Sequence, residues 1–86
     1  MSNWIITHRG LFRTLTFDSE LQLHAFVSGL EKISAQMNHH ADLEYVSRLV
    51  VDVYLITHDL GGITKKDHAL AESIDKLSQA QLLGMP

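Results

Sequence analysis

The chain has 86 residues, 45% of them hydrophobic and 20% charged, with a formal net charge of -3 and no cysteine. One small domain covering residues 1–86 is expected, and its own core gives only modest stability. Disulfides and thiolate zinc clusters are excluded, and seven dispersed Lys and Arg residues give no electrostatic footprint for nucleic acid.

Small folds without covalent staples often self-associate, so a homo-oligomer is expected on size alone. Met1-Ser2-Asn3-Trp4 has no basic region leading into an apolar stretch, so no signal peptide is read. The longest apolar runs are too short to span a bilayer, and a cytoplasmic protein without membrane association is the expectation.

Trp4 to His8 is short and β-prone, and His8-Arg9-Gly10 reads as a turn. Leu11 to Phe17 then alternates, with Leu11, Arg13, Leu15 and Phe17 on one face and Phe12, Thr14 and Thr16 on the other. Together these make a hairpin. Ser19 with Gln22 three residues later fits a capping box, with Asp18 as an alternative cap. Leu23, Phe26, Val27, Leu30, Ile33 and Met37 follow at helical spacing, so one face is buried. Gly29 weakens that helix or admits a close neighbour, and Asn38 ends it.

Asp42 to Ser47 reads as a poorly patterned strand. Leu49 to Thr57 is the clearest strand, with Leu49, Val51, Val53 and Leu55 on one face and Val50, Asp52, Tyr54 and Ile56 on the other. Gly61-Gly62 makes a turn. Thr64-Lys65-Lys66-Asp67 is a second capping box, opening a helix whose buried stripe is Leu70, Ile74 and Leu77. Gln79 to Pro86 is expected to fray. The order β-β-α-β-β-α predicts an α+β fold: a four-stranded antiparallel sheet with both helices on one face and the other face open.

Of six histidines, His8, His24 and His68 fall in segments predicted to face solvent and carry no assigned role. His39-His40 lies between a helix end and a strand, where both rings can be aimed at one space. Histidine changes charge near neutral pH and suits proton transfer in either direction. On the dipeptide alone, a solvated loop or a histidine capping the helix is the better explanation. His58 ends the clear strand, and pleat parity points it with Tyr54 and Ile56 toward the open face. Thr57 points to the helix side, with its backbone groups available to a ligand. Asp67 at the third helical position is explained by capping alone. Three histidines and a carboxylate are also a candidate zinc set, although their spacing matches no zinc signature such as H-E-x-x-H.

The runs Asn38-His39-His40-Ala41-Asp42, Tyr54 through Asp67 and Leu70-Ala71 resemble the pterin-4a-carbinolamine dehydratases. Trp4, Gly10, Phe17 and Phe26-Val27 extend the resemblance upstream, over nearly the whole chain. The resemblance implies dehydration of 4a-hydroxytetrahydropterin to quinonoid dihydropterin, in recycling of a tetrahydropterin cofactor, with no metal or organic cofactor. It implies His39 and His58 as the proton-transfer pair and His40 as a third catalytic and substrate-positioning residue. Thr57, His58 and Asp67 complete the substrate-binding set, Asp67 supporting the site near His58. A homodimer or homotetramer is implied as well. By the resemblance, no counterpart of the family's N-terminal helix is expected ahead of Trp4, Ala35 stands where the family usually has an acid, and Ala41 stands where it usually has proline. These departures favour the alternative of a non-catalytic dimerisation or assembly module on the same fold. The three retained histidines favour the enzyme.

Overall fold

A computed structural model describes residues 3–82. Its first hairpin joins β1 (Ile5–Thr7) to β2 (Gly10–Thr16), with Thr7 opposite Gly10 across a two-residue turn. Gly10 holds φ at +105°, and a Cβ there would lie 2.1 Å from the Leu55 carbonyl oxygen. Only glycine permits both the backbone angle and that approach. The second hairpin joins β3 (Asp42–Tyr45) to β4 (Val50–Leu55). The four strands are antiparallel in the order β1-β2-β4-β3, as the α+β expectation requires.

Register explains the two faces of the sheet. Leu11 pairs with Leu55 and Leu15 with Val51, and these side chains are buried beneath the helices. Arg13 belongs to the same face. It is accommodated because Asp75 on the second helix pairs with its guanidinium and also accepts a 2.8 Å bond from the Trp4 indole N–H. The opposite face is open, with Phe12 and Tyr54 in contact at 4.9 Å and Arg9 stacked 3.8 Å above Tyr54.

Helix α1 (Glu20–Met37) starts at Ser19, whose hydroxyl accepts from the Gln22 amide at 3.2 Å. The Gln22 side chain reaches back to the Asp18 N–H rather than to that of Ser19, so the capping box is shifted by one donor. Helix α2 is Lys65–Leu82. It runs past Gln79, where fraying was expected to begin, and residues 83–86 lie outside the described residues. The two helices close tightly at Gly29, where a Cβ would meet both Leu77 methyls at 3.0 Å. Phe17, Phe26, Leu30, Val53, Leu70 and Ile74 fill the space between helices and sheet. Each such side chain contributes roughly 1.5–3 kcal/mol, offset by the entropy of ordering the chain.

Strand bounds shift by one or two residues from those read in the sequence, and two of the ends shorten into turns. β3 stops at Tyr45, because the Val46 and Ser47 amides both turn to the Val50 carbonyl. β4 stops at Leu55, and Thr57 continues only as an isolated bridge to Gly62. Both strands therefore give way to turns, and the second of these flanks the histidines. Among the described residues no helix is long and apolar enough to cross a membrane.

Candidate active site

The end of α1 places His39. Asn38 adopts the left-handed conformation, φ 53° and ψ 43°. Its amide returns to the Ala35 carbonyl, and the His39 amide to that of Ser34 at 3.1 Å. This is the paired arrangement that closes a helix through a left-handed residue. The backbone of His39 thus seals the helix, and its ring remains available for other work.

That ring meets Asp67. His39 Nε2 lies 2.6 Å from Asp67 Oδ1, with the histidine side chain 10% exposed and the carboxylate fully buried. Asp67 Oδ2 accepts from the Thr57 hydroxyl at 2.8 Å and from the Thr64 amide at 2.8 Å. The Thr57 and Thr64 hydroxyls are 2.7 Å apart. Burial opposes the charge on Asp67. The bonds from His39, the Thr64 amide and Thr57 outweigh it and hold the carboxyl below the ordinary carboxylate value.

An ionised carboxylate only accepts, so the ring nitrogen facing it carries a proton. In neutral His39 that proton is on Nε2, and Nδ1 bears the lone pair. The geometry therefore selects one tautomer.

The turn after β4 places His58. The Thr57 amide donates to Gly62, and the Gly61 amide to the Thr57 carbonyl, so the turn folds back on itself. The His58 side chain projects from this turn, 70% exposed, with Nε2 3.3 Å from Asp42 Oδ2 at the start of β3. Asp42 pairs with Tyr54 on the open face, which agrees with the parity read from the sequence. His40 is exposed beside them.

His39, His40, Thr57 and His58 line one open cleft of about 340 Å³, together with Asp42, Asp59 and Lys66. The sequence-predicted residues are thus gathered in one place, except that Asp67 lies beneath the cleft rather than in it. Its partner is His39, not His58. Asp42 and Thr64 were not singled out as site residues by the sequence. Asp42 is visible only as an acid two residues beyond the histidine pair. Thr64 is concealed by its position as a helix cap.

The fold and the cleft define a small α+β domain whose histidines gather beside an antiparallel sheet, one ring anchored to a buried carboxylate. The chain belongs to the pterin 4 alpha carbinolamine dehydratase family, whose sequence model matches residues 1–77. A protein of Prochlorococcus marinus (strain NATL2A) is 36% identical over 75 residues, covering 87% of this chain and 78% of its own. One from Sulfolobus acidocaldarius is 35% identical over 78 residues, covering 90% and 84%. Both are provisionally named pterin-4-alpha-carbinolamine dehydratases.

Among solved structures, a transcriptional coactivator/pterin dehydratase from Brucella melitensis superposes with a TM-score of 0.82 over 88% of this chain and 82% of its own. At 20% identity that likeness is one of fold. A pterin dehydratase-like protein identified as a RuBisCO assembly factor in the alpha-carboxysome gives 0.67 at 25% identity, over 79% and 77%.

Proposed function

We propose that this chain dehydrates 4a-hydroxytetrahydropterin to quinonoid dihydropterin by histidine acid–base catalysis. The observation that carries the reading is the convergence of His39, His40 and His58 on one cleft, with His39 seated on buried Asp67. The reaction breaks the bond between C4a and its hydroxyl oxygen, and a ring nitrogen gives up a proton. His39 takes that proton on Nδ1, and ionised Asp67 stabilises the imidazolium formed. His58, beside Asp42, protonates the departing hydroxyl, which leaves as water. His40 and the backbone near Thr57, whose own amide and carbonyl are engaged within the turn, hold the pterin, so that both transfers act on a fixed ring.

Self-association belongs to the proposal. β3 is an edge of the sheet, and Tyr45 and Val46 at its end are 59% and 61% exposed. Unpaired strand edges with exposed apolar side chains invite a second chain. The cytoplasm is the proposed location, where a soluble cofactor would be recycled.

A second reading, an assembly module without catalysis, draws on the likeness to the RuBisCO assembly factor. Stopped-flow measurement of 4a-hydroxytetrahydropterin loss separates the two. The enzyme accelerates the loss over the uncatalysed reaction, and His39→Ala and His58→Ala each reduce kcat by about 10²–10⁴-fold. A wild type that gives no acceleration ends the enzymatic reading. A fully active alanine variant removes the role given to that histidine.

A further inference from the structure

The hydroxyl of Thr64 is not used where a helix would use it. A capping hydroxyl ordinarily accepts from an amide of the first turn. Here the Asp67 amide donates to the Thr64 carbonyl at 3.0 Å, and the His68 amide does so at 3.3 Å. The Thr64 hydroxyl points instead to Thr57 Oγ1 at 2.7 Å, with Asp67 Oδ2 more distant at 3.5 Å.

Proton counting orders this group. Thr57 has one hydroxyl proton, and its 2.8 Å approach to the carboxylate uses it. The short Thr57–Thr64 contact then requires Thr64 to donate and Thr57 to accept. The chain of bonds runs from Thr64 to Thr57 to Asp67, each donor strengthening the next. With the Thr64 amide, this chain saturates Oδ2 and leaves Oδ1 facing the His39 ring.

We infer that Thr64 is a positioning residue for His39: its hydroxyl orients Thr57, and together they hold Asp67 Oδ1 against the His39 ring, so that the ring stays on the carboxylate and keeps its Nε2–H tautomer. Catalytically the inference rests on the dehydratase reading, but its structural content does not. Loss of the Thr64 hydroxyl removes the donor that fixes the Thr57 rotamer and leaves Thr57 held only by its own bond to Asp67. The carboxylate then loses its fixed orientation, and so does the ring above it.

Two measurements test this. Long-range ¹H–¹⁵N spectra of the His39 ring report its tautomer without any substrate. The wild type shows the Nε2–H form alone, Thr64→Val and Thr57→Val show a mixture, and Thr64→Ser restores the single form. Dehydration kinetics of the same proteins show kcat lowered about five- to tenfold in Thr64→Val, with KM within about twofold and serine rescuing the rate. A purely structural role for Thr64 would not move the tautomer or split kcat from KM. Thr57→Val interrupts the same chain and leaves the Thr64 residue and its amide bond to Asp67 in place, so it decides the matter if Thr64→Val does not fold. A single Nε2–H tautomer in a folded valine variant overturns the inference and leaves the dehydratase reading standing. An inactive wild type defeats that reading, while the tautomer spectra still decide the placement of His39.

Discussion

His39 Nε2 and Asp67 Oδ1 lie 2.6 Å apart across 28 residues of sequence, joining the end of α1 to the beginning of α2. This contact adds a polar tie between two helices that also pack together at Gly29 and Leu77. It also decides which nitrogen of His39 faces the cleft. Stability and chemistry are therefore coupled at the pair, and substitutions there are expected to move both.

Asp67→Asn should move both. A carboxamide has one acceptor oxygen where Asp67 uses two. If its NH2 replaced Oδ2, it would meet the Thr64 N–H, donor against donor. The amide nitrogen is thus driven to the Oδ1 position, where it faces His39 Nε2 and requires that nitrogen to accept. The ring then adopts the Nδ1–H form and presents a proton to the cleft instead of a lone pair. The expected result is a loss of kcat on the order of 10²–10⁴-fold with a wrong tautomer by ¹⁵N spectroscopy. The stability loss by urea denaturation is about 1–3 kcal/mol.

Acid should act through the same carboxyl. Burial raises the cost of the Asp67 charge, but its three donors reverse the balance and set the folded value below the ordinary 3.8. Between the two values the unfolded chain binds a proton that the folded chain does not, so stability rises with pH there. The contribution is complete above 3.8 and is lost as pH falls through the lower folded value. Urea denaturation at successive pH values from 3.8 downward should show a steeper decline in the wild type than in Asp67→Asn. Parallel slopes would sink this assignment.

Much of this architecture is legible in the residues. The alternation of Leu11–Phe17 and Leu49–Leu55 marks the helix-facing side of the sheet, and Ser19 and Asn38 mark the ends of α1 correctly. Asp67 was readable from its position as a cap alone, and only the resemblance gave it a place in the site, near His58. Yet the stripe Leu70, Ile74, Leu77 extended one turn backward lands on Asp67. A carboxylate on a buried stripe requires a partner. Which partner is a matter of how α1 and α2 cross, and periodicity carries no such distance. The short ends of β3 and β4 were likewise set by turns whose bonds to Val50 and Gly62 form through space. Self-association, by contrast, was inferred from size and from an open edge, and it stays with the proposal.

Gly10 makes a separate claim about the sheet. A methyl group there would sit 2.1 Å from the Leu55 carbonyl oxygen at a φ that L-residues rarely adopt. Neither the β1–β2 turn nor β4 has a flexible side chain to yield, because the obstacle is backbone. Gly10→Ala should cost at least about 3 kcal/mol, enough to leave a small domain largely unfolded. Circular dichroism melting is the check, and a variant melting within a few degrees of wild type contradicts the close approach.

The two histidines proposed to transfer protons should differ in what they do for the fold. His39 is 10% exposed and donates to a wholly buried carboxylate. His39→Ala removes that donor and leaves Asp67 with Thr57 and Thr64 alone, so part of a buried charge loses its compensation. A loss of about 2–3 kcal/mol is expected. His58 is 70% exposed, and its partner Asp42 is 48% exposed. Solvent screens that pair, and His58→Ala should change stability by less than about 0.5 kcal/mol. Urea denaturation of both variants at neutral pH, beside their kinetics, makes the comparison. Equal activity losses with unequal stability losses match the geometry. Equal stability losses would mean that the His39–Asp67 contact does not hold the helices as drawn.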